Sequence, residues 1–176
     1  MNRHYLCIGR LTLEQYKTLD SEKTHFVAGI AREALKLASQ GERVHLVSRV
    51  GHDLLGDFAL ATLREAKINT TFVQRLFNCI SNHRQINGAR NGASAHEIEH
   101  QSPECELTVD DVVAAQALFI DAAAVVIDNR LAPEVVRTAL ELAEKYGIEV
   151  RYADAAEPEM LPNYLGRAPM LELSLN

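Results

Sequence analysis

The chain lacks the excess of basic residues that a nucleic-acid-binding protein needs. Its 176 residues include 18 lysines and arginines against 24 aspartates and glutamates, a formal net charge of -6. Such a balance provides no electrostatic footprint for a polyphosphate backbone, so we expect no nucleic-acid partner. A local cluster of backbone amides can still bind a small phosphorylated ligand within an acidic protein.

Cysteine is also scarce. The three cysteines are Cys7, Cys79 and Cys105; they show no C-x-x-C spacing, and one is left over after any pairing. The sequence therefore argues against a disulfide framework and favours a reducing cytoplasm. Cys7 and Cys79 are interpreted as core residues, since nothing nearby would lower a thiol pKa.

Long apolar runs are missing as well. The first apolar run, residues 5–8, is too short for a signal-peptide core, and "AAAVVI" is bounded by Asp121 and Asp128. We therefore expect a cytoplasmic protein without a membrane partner.

Several catalytic fingerprints are absent, and the one that is present lacks its context. No G-x-G-x-x-G, G-x-x-x-x-G-K-[ST] or G-x-S-x-G occurs. "HEIEH", His96–His100, matches the H-E-x-x-H zinc pattern, but "NGASA" before it and "QSP" after it leave room for scarcely two helical turns. A solvated hairpin strand is the favoured interpretation, and no metal site is expected.

What the sequence does contain is an alternation of strand and helix patterns, with 47% hydrophobic residues. This indicates one α/β domain over residues 1–176, with a doubly wound, mostly parallel sheet and helices on both faces. Residues 78–103 are left mostly unassigned. The predicted strands are 5–9, 44–50, 70–77, 122–127, 148–152 and 170–173, and the predicted helices are 25–40, 54–66, 108–120 and 133–146, with a weak helix near Met160.

Ligands of parallel sheets bind at the carboxyl ends of strands, which here include residues 9–14, 51–56, Asp128 with Asn129, and Asp154. Asp128 and Asn129 could bind the hydroxyls of a polyol or nucleoside, or could cap the helix that begins near Pro133; the sequence leaves both open. Asp154 is favoured as a cap, and Asp53 is expected to cap the helix that follows it.

Two segments resemble a known family. "GERVHLVSRVGHDLLGDFALATLREAKI", residues 41–68, resembles the strand, G-D-D-x-x-G turn and helix of ribokinase-like, or PfkB, sugar and nucleoside kinases. "VVIDNRLAPEVVRTALELAEKYGIEVRYADAAEP" resembles a later strand, loop, helix and strand of that family. The nearest branch is that of the pseudouridine kinases, whose G-G-V-G-R-N corresponds to "AGIARE" here.

The resemblance implies a truncated ribokinase-like fold with a small β lid, a hairpin around residues 70–106. It also implies a substrate site for a sugar or nucleoside. Glu14 stands where the family has an aspartate that holds sugar hydroxyls, Ala28 and Gly29 stand for a double glycine, and Glu33, or Arg32, stands for an asparagine. Asp128 and Asn129 complete the expected substrate-binding set.

The family's catalytic G-A-G-D motif does not occur in this sequence. The resemblance therefore implies the substrate-binding half of a kinase, with no catalytic residue and no cofactor expected for this chain alone. ATP and Mg²⁺ would join if a C-terminal half completed it. The expected partners are a sugar or nucleoside and either a second copy or the missing half. The alternative is a non-catalytic module that binds a sugar or nucleoside, or serves in interactions.

Overall fold

A computed structural model of the chain describes residues 3–18, 21–87 and 96–153. Nine strands and four α-helices follow one another within these ranges, together with 3-10 helices at Pro103–Cys105 and Gln116–Phe119. The strands are β1 His4–Ile8, β2 Leu11–Thr18, β3 Ser21–Gly29, β4 Val44–Gly51, β5 Asn69–Leu76, β6 His83–Asn87, β7 His96–His100, β8 Ala122–Ile127 and β9 Glu149–Tyr152. The helices are α1 Ile30–Ser39, α2 Leu54–Glu65, α3 Val109–Ala114 and α4 Pro133–Tyr146.

Five strands form a parallel sheet in the order β5-β4-β1-β8-β9. Successive side chains of a strand point to opposite faces, and β1 shows the consequence. Cys7 belongs to the apolar cluster that includes residues of α1 and α2, while Leu6 and Ile8 belong to the cluster that includes residues of α3 and α4. The predicted α/β fold, with helices on both faces of a mostly parallel sheet, is confirmed.

A second sheet of four strands has the order β3-β2-β6-β7. It contains a hairpin within the range 70–106 where one was expected, but Asn69–Leu76 at the start of that range forms β5 of the parallel sheet instead. Strands β6 and β7 pair antiparallel and β6 pairs parallel with β2. "HEIEH" is strand β7, as the sequence favoured, and residues 83–87 provide the strand it pairs with. Among the described residues, no group of three or more histidine, cysteine or acidic side chains could hold a metal ion.

The predicted helix over residues 25–40 is wrong in its first turn. Residues 21–29 form β3, which pairs antiparallel with β2, and the helix begins only at Ile30. Gly29 lies between the two elements with φ of +67°, a conformation that glycine adopts without strain. The sequence did not predict strand β2 either. This strand is defined by its pairing with β3 and β6, which the local sequence pattern does not reveal.

The other differences between the predicted and the observed elements concern residues after 107. The predicted helix over 108–120 ends at Ala114 and continues as a 3-10 helix, although Asp111 does accept a hydrogen bond from the Thr108 backbone N–H, at 2.7 Å, as a capping box requires. The helix predicted near Met160, the strand predicted at 170–173 and the cap predicted at Asp154 lie outside the described residues.

The cysteines overturn one expectation. Cys79 and Cys105 form a disulfide, whereas Cys7 is a free, buried thiol in β1. The count of three had argued against such pairing, but a count carries no information about which positions the fold brings together. No helix in the described parts of the chain is both long enough and apolar enough to cross a membrane.

Candidate functional site

The carboxyl ends of β1 and β8 meet the start of α1 at Gly9. A Cβ atom at Gly9 would lie 2.6 Å from the Cβ of Asp128 and 2.7 Å from that of Ile30, so this position has no room for a side chain. The Ile30 backbone N–H also donates to the Arg10 carbonyl, at 3.0 Å. Gly9 thus brings the end of β8 and the residues after Gly29 to one place.

Glu14 of β2 has a carboxylate that is almost fully buried. The residue is 4% exposed, and its two oxygens are bound by different arginines. Arg32 of α1 donates to one oxygen at 3.2 Å, and Arg84 of β6 contacts the other. A buried carboxylate needs such partners because burial alone strongly penalises its charge. Glu14 therefore joins helix α1 to the hairpin strand β6.

The two residues proposed for the asparagine position have different surroundings. Arg32 contacts Glu14, whereas Glu33 is half-buried and forms an ion pair with Lys36 at 4.0 Å. Burial is the main cause that raises the pKa of Cys7, and the charge of Glu33 raises it further. It is therefore Arg32 that adjoins Glu14. Ala28 is 2% exposed in β3, next to the positive-φ residue Gly29.

Asp128 at the end of β8 is 2% exposed and is held by Arg130. One carboxylate oxygen accepts from the Arg130 backbone N–H and from Nε, both at 3.0 Å, and the other accepts from a terminal guanidinium nitrogen at 3.2 Å. Burial raises the pKa of Asp128, but these bonds and the charges of Arg130 and Arg10 outweigh it and lower that pKa. Asp128 is therefore ionised at neutral pH.

The capping alternative for Asp128 and Asn129 is wrong. Helix α4 begins after Ala132, which makes no side-chain capping bond, and Pro133 occupies its first turn. Asn129 is exposed beside Asp128 at the same carboxyl edge of the sheet. Binding of a ligand by the pair stays a prediction.

The turn between β4 and α2 is built around Asp53. Its Oδ1 accepts from the Gly56 backbone N–H at 2.7 Å, which confirms the predicted cap, and its Oδ2 accepts from the Ser81 backbone N–H, also at 2.7 Å. A Cβ atom at Gly51 would lie 2.6 Å from the Cys79 carbonyl oxygen, so only glycine fits. This turn therefore anchors the segment that leads into β6.

The candidate site contains two buried carboxylates, of which Glu14 is bound to two guanidinium groups and Asp128 to one. The charge of Arg10 helps to lower the pKa of Asp128, and the charge of Arg84 partly offsets the rise in the pKa of Arg130. The groups around Glu14 and those around Asp128 therefore interact electrostatically. Carboxylates and guanidinium groups are suitable partners for hydroxyls and for oxyanions, respectively. Sequence reasoning missed Arg84 and Arg130. Arg84 is 70 positions from Glu14, and no local pattern could have linked them.

Comparison with protein families supplies the decisive observation. The sequence pattern of the pfkB family carbohydrate kinases matches residues 14–172, nearly the whole chain. The chain belongs to the PfkB family. The match begins at Glu14 and includes every element from β3 to β9, so the predicted family resemblance is confirmed at that level.

Solved structures of PfkB-type kinases share the fold. The ribokinase of Arabidopsis thaliana, complexed with ribose and ATP, superposes with a TM-score of 0.74 at 16% identity, covering 89% of this chain and 55% of that one. The fructokinase of Xylella fastidiosa with bound ATP gives 0.73 at 20% identity, covering 96% of this chain and 53% of that one. The fructokinase of Halothermothrix orenii gives 0.69 at 18%, covering 85% and 56%.

Identities this low establish the common fold alone. The chain spans about half the length of these kinases, between 53% and 56% of each. No curated protein sequence matches it significantly.

Proposed function

We propose that this PfkB-family chain binds a sugar or nucleoside at the carboxyl edge of its parallel sheet, between Gly9, Glu14 and Asp128. The observation that supports this most is the burial of two carboxylates, those of Glu14 and Asp128, of which Asp128 adjoins Gly9. Hydroxyl groups are donors that such carboxylates accept well.

The second sheet supports the same placement. Arg84 reaches Glu14 from β6, so the hairpin strand lies against the residue expected to hold sugar hydroxyls. The structural neighbours add a parallel, because the Arabidopsis ribokinase was solved with ribose and ATP. We propose a ligand of the same chemical class here, with pseudouridine as one nucleoside to test.

We further propose that these 176 residues do not transfer phosphate by themselves. The G-A-G-D segment that would provide a base and an anion hole is not in this sequence. Loss of a general base alone costs about 10²–10⁴-fold in rate. ATP and Mg²⁺ would act only with a segment that contains that motif. The test is sugar-dependent release of ADP by the purified chain, where a rate well above a blank without sugar would refute the proposal.

Binding itself is tested by thermal unfolding with ribose, fructose and pseudouridine at increasing concentration. A ligand that binds only the folded state raises the melting temperature as its concentration exceeds Kd. We expect a rise for at least one ligand, and a smaller rise in Asp128→Asn. Glu149→Gln, which removes an exposed carboxylate at the edge of β9, is the matched control and should respond as wild type does. Flat curves for all three ligands would refute ligand binding.

One observation favours a second candidate, a module of this family that has lost its ligand. Glu14 and Asp128 are both occupied by arginines of the same chain, which a neutral sugar would have to displace. In that case the ion pairs of Glu14 and Asp128 have a structural role only. The ligand series distinguishes the two functions, because the second predicts no response to any sugar or nucleoside.

A further inference from the structure

The hairpin formed by β6 and β7 is fastened at its base, where the chain enters it and where the chain leaves it. The entering segment is residues 77–82 and the leaving segment is residues 101–107; together we call them the hairpin base. The disulfide between Cys79 and Cys105 joins the two segments. The Ser102 backbone N–H also donates to the Asn82 side-chain oxygen, at 2.8 Å.

The two segments of the hairpin base are attached separately, one to the turn after β4 and the other to β4 itself. The entering segment is held by Ser81, which donates its backbone N–H and its hydroxyl to Asp53 at 2.7 and 2.8 Å. The leaving segment is held by Arg49 of β4, which donates to the Glu106 carbonyl at 3.1 Å and forms an ion pair with Asp111 at 2.8 Å. The disulfide is therefore a covalent link between two separately anchored segments.

The two cysteines of the disulfide differ in exposure. Cys105 is 1% exposed, whereas Cys79 is 9% exposed and lines a groove of about 430 Å³ that also includes Phe77, Ile80 and His100. Phe77 and Ile80 are themselves 85% and 54% exposed, so the groove is open to solvent. The groove therefore gives a thiol in solution an approach to the disulfide from the side of Cys79.

We propose that Cys79 and Cys105 form a redox-sensitive link that sets the rigidity of the hairpin base. A thiolate of a dithiol reductant attacks the Cys79 sulfur and forms a mixed disulfide, while the Cys105 sulfur leaves as a thiolate and takes a proton from water. The second thiol of the reductant then closes its own disulfide and releases Cys79 as a thiol. Oxidised glutathione reverses the reaction, giving two reduced glutathione molecules for each link formed.

The reduced state has a place for the released group. The Cys105 sulfur lies 3.5 Å from the Ile80 carbonyl oxygen, so a Cys105 thiol can donate to it without moving. Hydrogen bonds would then hold the hairpin base without its covalent link. Because a disulfide that closes a loop of this length restricts the unfolded chain, its loss lowers stability as well as local rigidity. The inference does not depend on sugar binding.

The experiment compares the full chain after equilibration with oxidised glutathione and after reduction with dithiothreitol. Alkylation in denaturant should label one cysteine, Cys7, in the oxidised protein and all three in the reduced protein. Reduction should lower the melting temperature by roughly 5–10 °C. It should also speed hydrogen exchange of the Ser102 and Cys105 amides by roughly tenfold or more, while amides of β8 exchange as before.

Two kinds of variant show which cysteines cause the response to dithiothreitol. Cys79→Ser and Cys105→Ser should each abolish the response of melting temperature to dithiothreitol, and Cys7→Ala, which removes the free thiol, should keep it. The reduced wild type provides the same comparison without any mutation, in case a variant fails to fold. Three labelled cysteines after oxidation, or equal melting temperatures and exchange rates in the two states, would overturn the proposal.

Discussion

The parallel sheet and the β6–β7 hairpin of the second sheet are stabilised by different interactions. In the parallel sheet, residues such as Leu6, Leu46 and Val47 are completely buried between helices. In the four-stranded sheet, Ile98 is 55% exposed, and the buried Glu14 is held by ion pairs to α1 and β6. Apolar burial therefore stabilises the parallel sheet and extends into β2 and β3 through Leu11, Leu13 and Val27, whereas ion pairs of Glu14 link β2 to α1 and to the hairpin strand β6.

The largest expected effect comes from the apolar core of the parallel sheet. Leu46→Ala removes fully buried methyl groups and leaves a cavity, so it should lower the free energy of unfolding by about 2–5 kcal/mol. Ile98→Ala, the matched change on the second sheet, should cost under about 0.5 kcal/mol. Chemical denaturation measures both, and similar losses would show that the β6–β7 hairpin is also supported by apolar packing.

A smaller loss is expected from the ion pairs of Glu14. Glu14→Gln leaves Arg32 and Arg84 without this anionic partner, and we expect a loss of about 1–3 kcal/mol, moderated because both arginine side chains are about one-quarter exposed. Glu149→Gln, at an exposed ion pair, should leave the free energy of unfolding unchanged within error. If Glu14→Gln is equally silent, the contact between hairpin and helix contributes nothing to stability.

The third expected loss of stability concerns the turn between β4 and α2, which is bonded to the segment that leads into β6. Asp53→Ala removes a helix cap and the bonds to Ser81, and should cost about 1–2 kcal/mol. The control is Asp57→Ala, which removes an exposed carboxylate of the same helix and should cost under about 1 kcal/mol. Thermal unfolding of both variants at pH 7 would measure the difference.

The same residue predicts a pH dependence. Partial burial raises the pKa of Asp53, but hydrogen bonds from Ser81 and Gly56 outweigh burial and lower it. A lowered pKa in the folded state means that the contribution of Asp53 is present above the unfolded pKa of about 3.9 and is lost as pH falls through the folded value. Asp53→Ala should therefore lose less stability than wild type on acidification below pH 4.

The parallel sheet could be predicted from the sequence because its information is local. Residues 122–127 form a buried apolar run, and the helix before Gly147 repeats its apolar residues with helical spacing. The capping role of Asp53 was predicted for the same reason, since a cap involves neighbours three residues apart.

The second sheet and the details of the candidate site could not be predicted in this way. Strand β2 alternates weakly, and its partners are β3 and the distant β6. The pairing of Cys79 with Cys105, like that of Glu14 with Arg84, depends on tertiary proximity. The sequence placed Asp128 at the correct strand end. It did not show that the Asp128 carboxylate bonds Arg130 instead of capping α4, because this depends on backbone geometry that the residue types do not specify.

The smallest expected effect lies at the opposite end of the parallel sheet. His45 of β4 is 4.5 Å, between ring centroids, from His4 of β1, which bonds the Leu118 carbonyl oxygen at 2.9 Å. Burial, and then the charges of His4 and Arg43, lower the pKa of His45. The unfolded chain therefore binds a proton near pH 6.5 that the folded protein binds only at lower pH, and stability falls as pH drops below about 6.5.

His45→Gln should remove part of this acid sensitivity. Denaturation midpoints measured between pH 7.5 and 5, a range of roughly one unit or more on either side of an ordinary histidine pKa, should decline less steeply in His45→Gln than in wild type. His52→Gln, at an exposed histidine stacked on Phe77, is the control and should retain the wild-type slope. Equal slopes in wild type and His45→Gln would show that folding does not lower the pKa of His45.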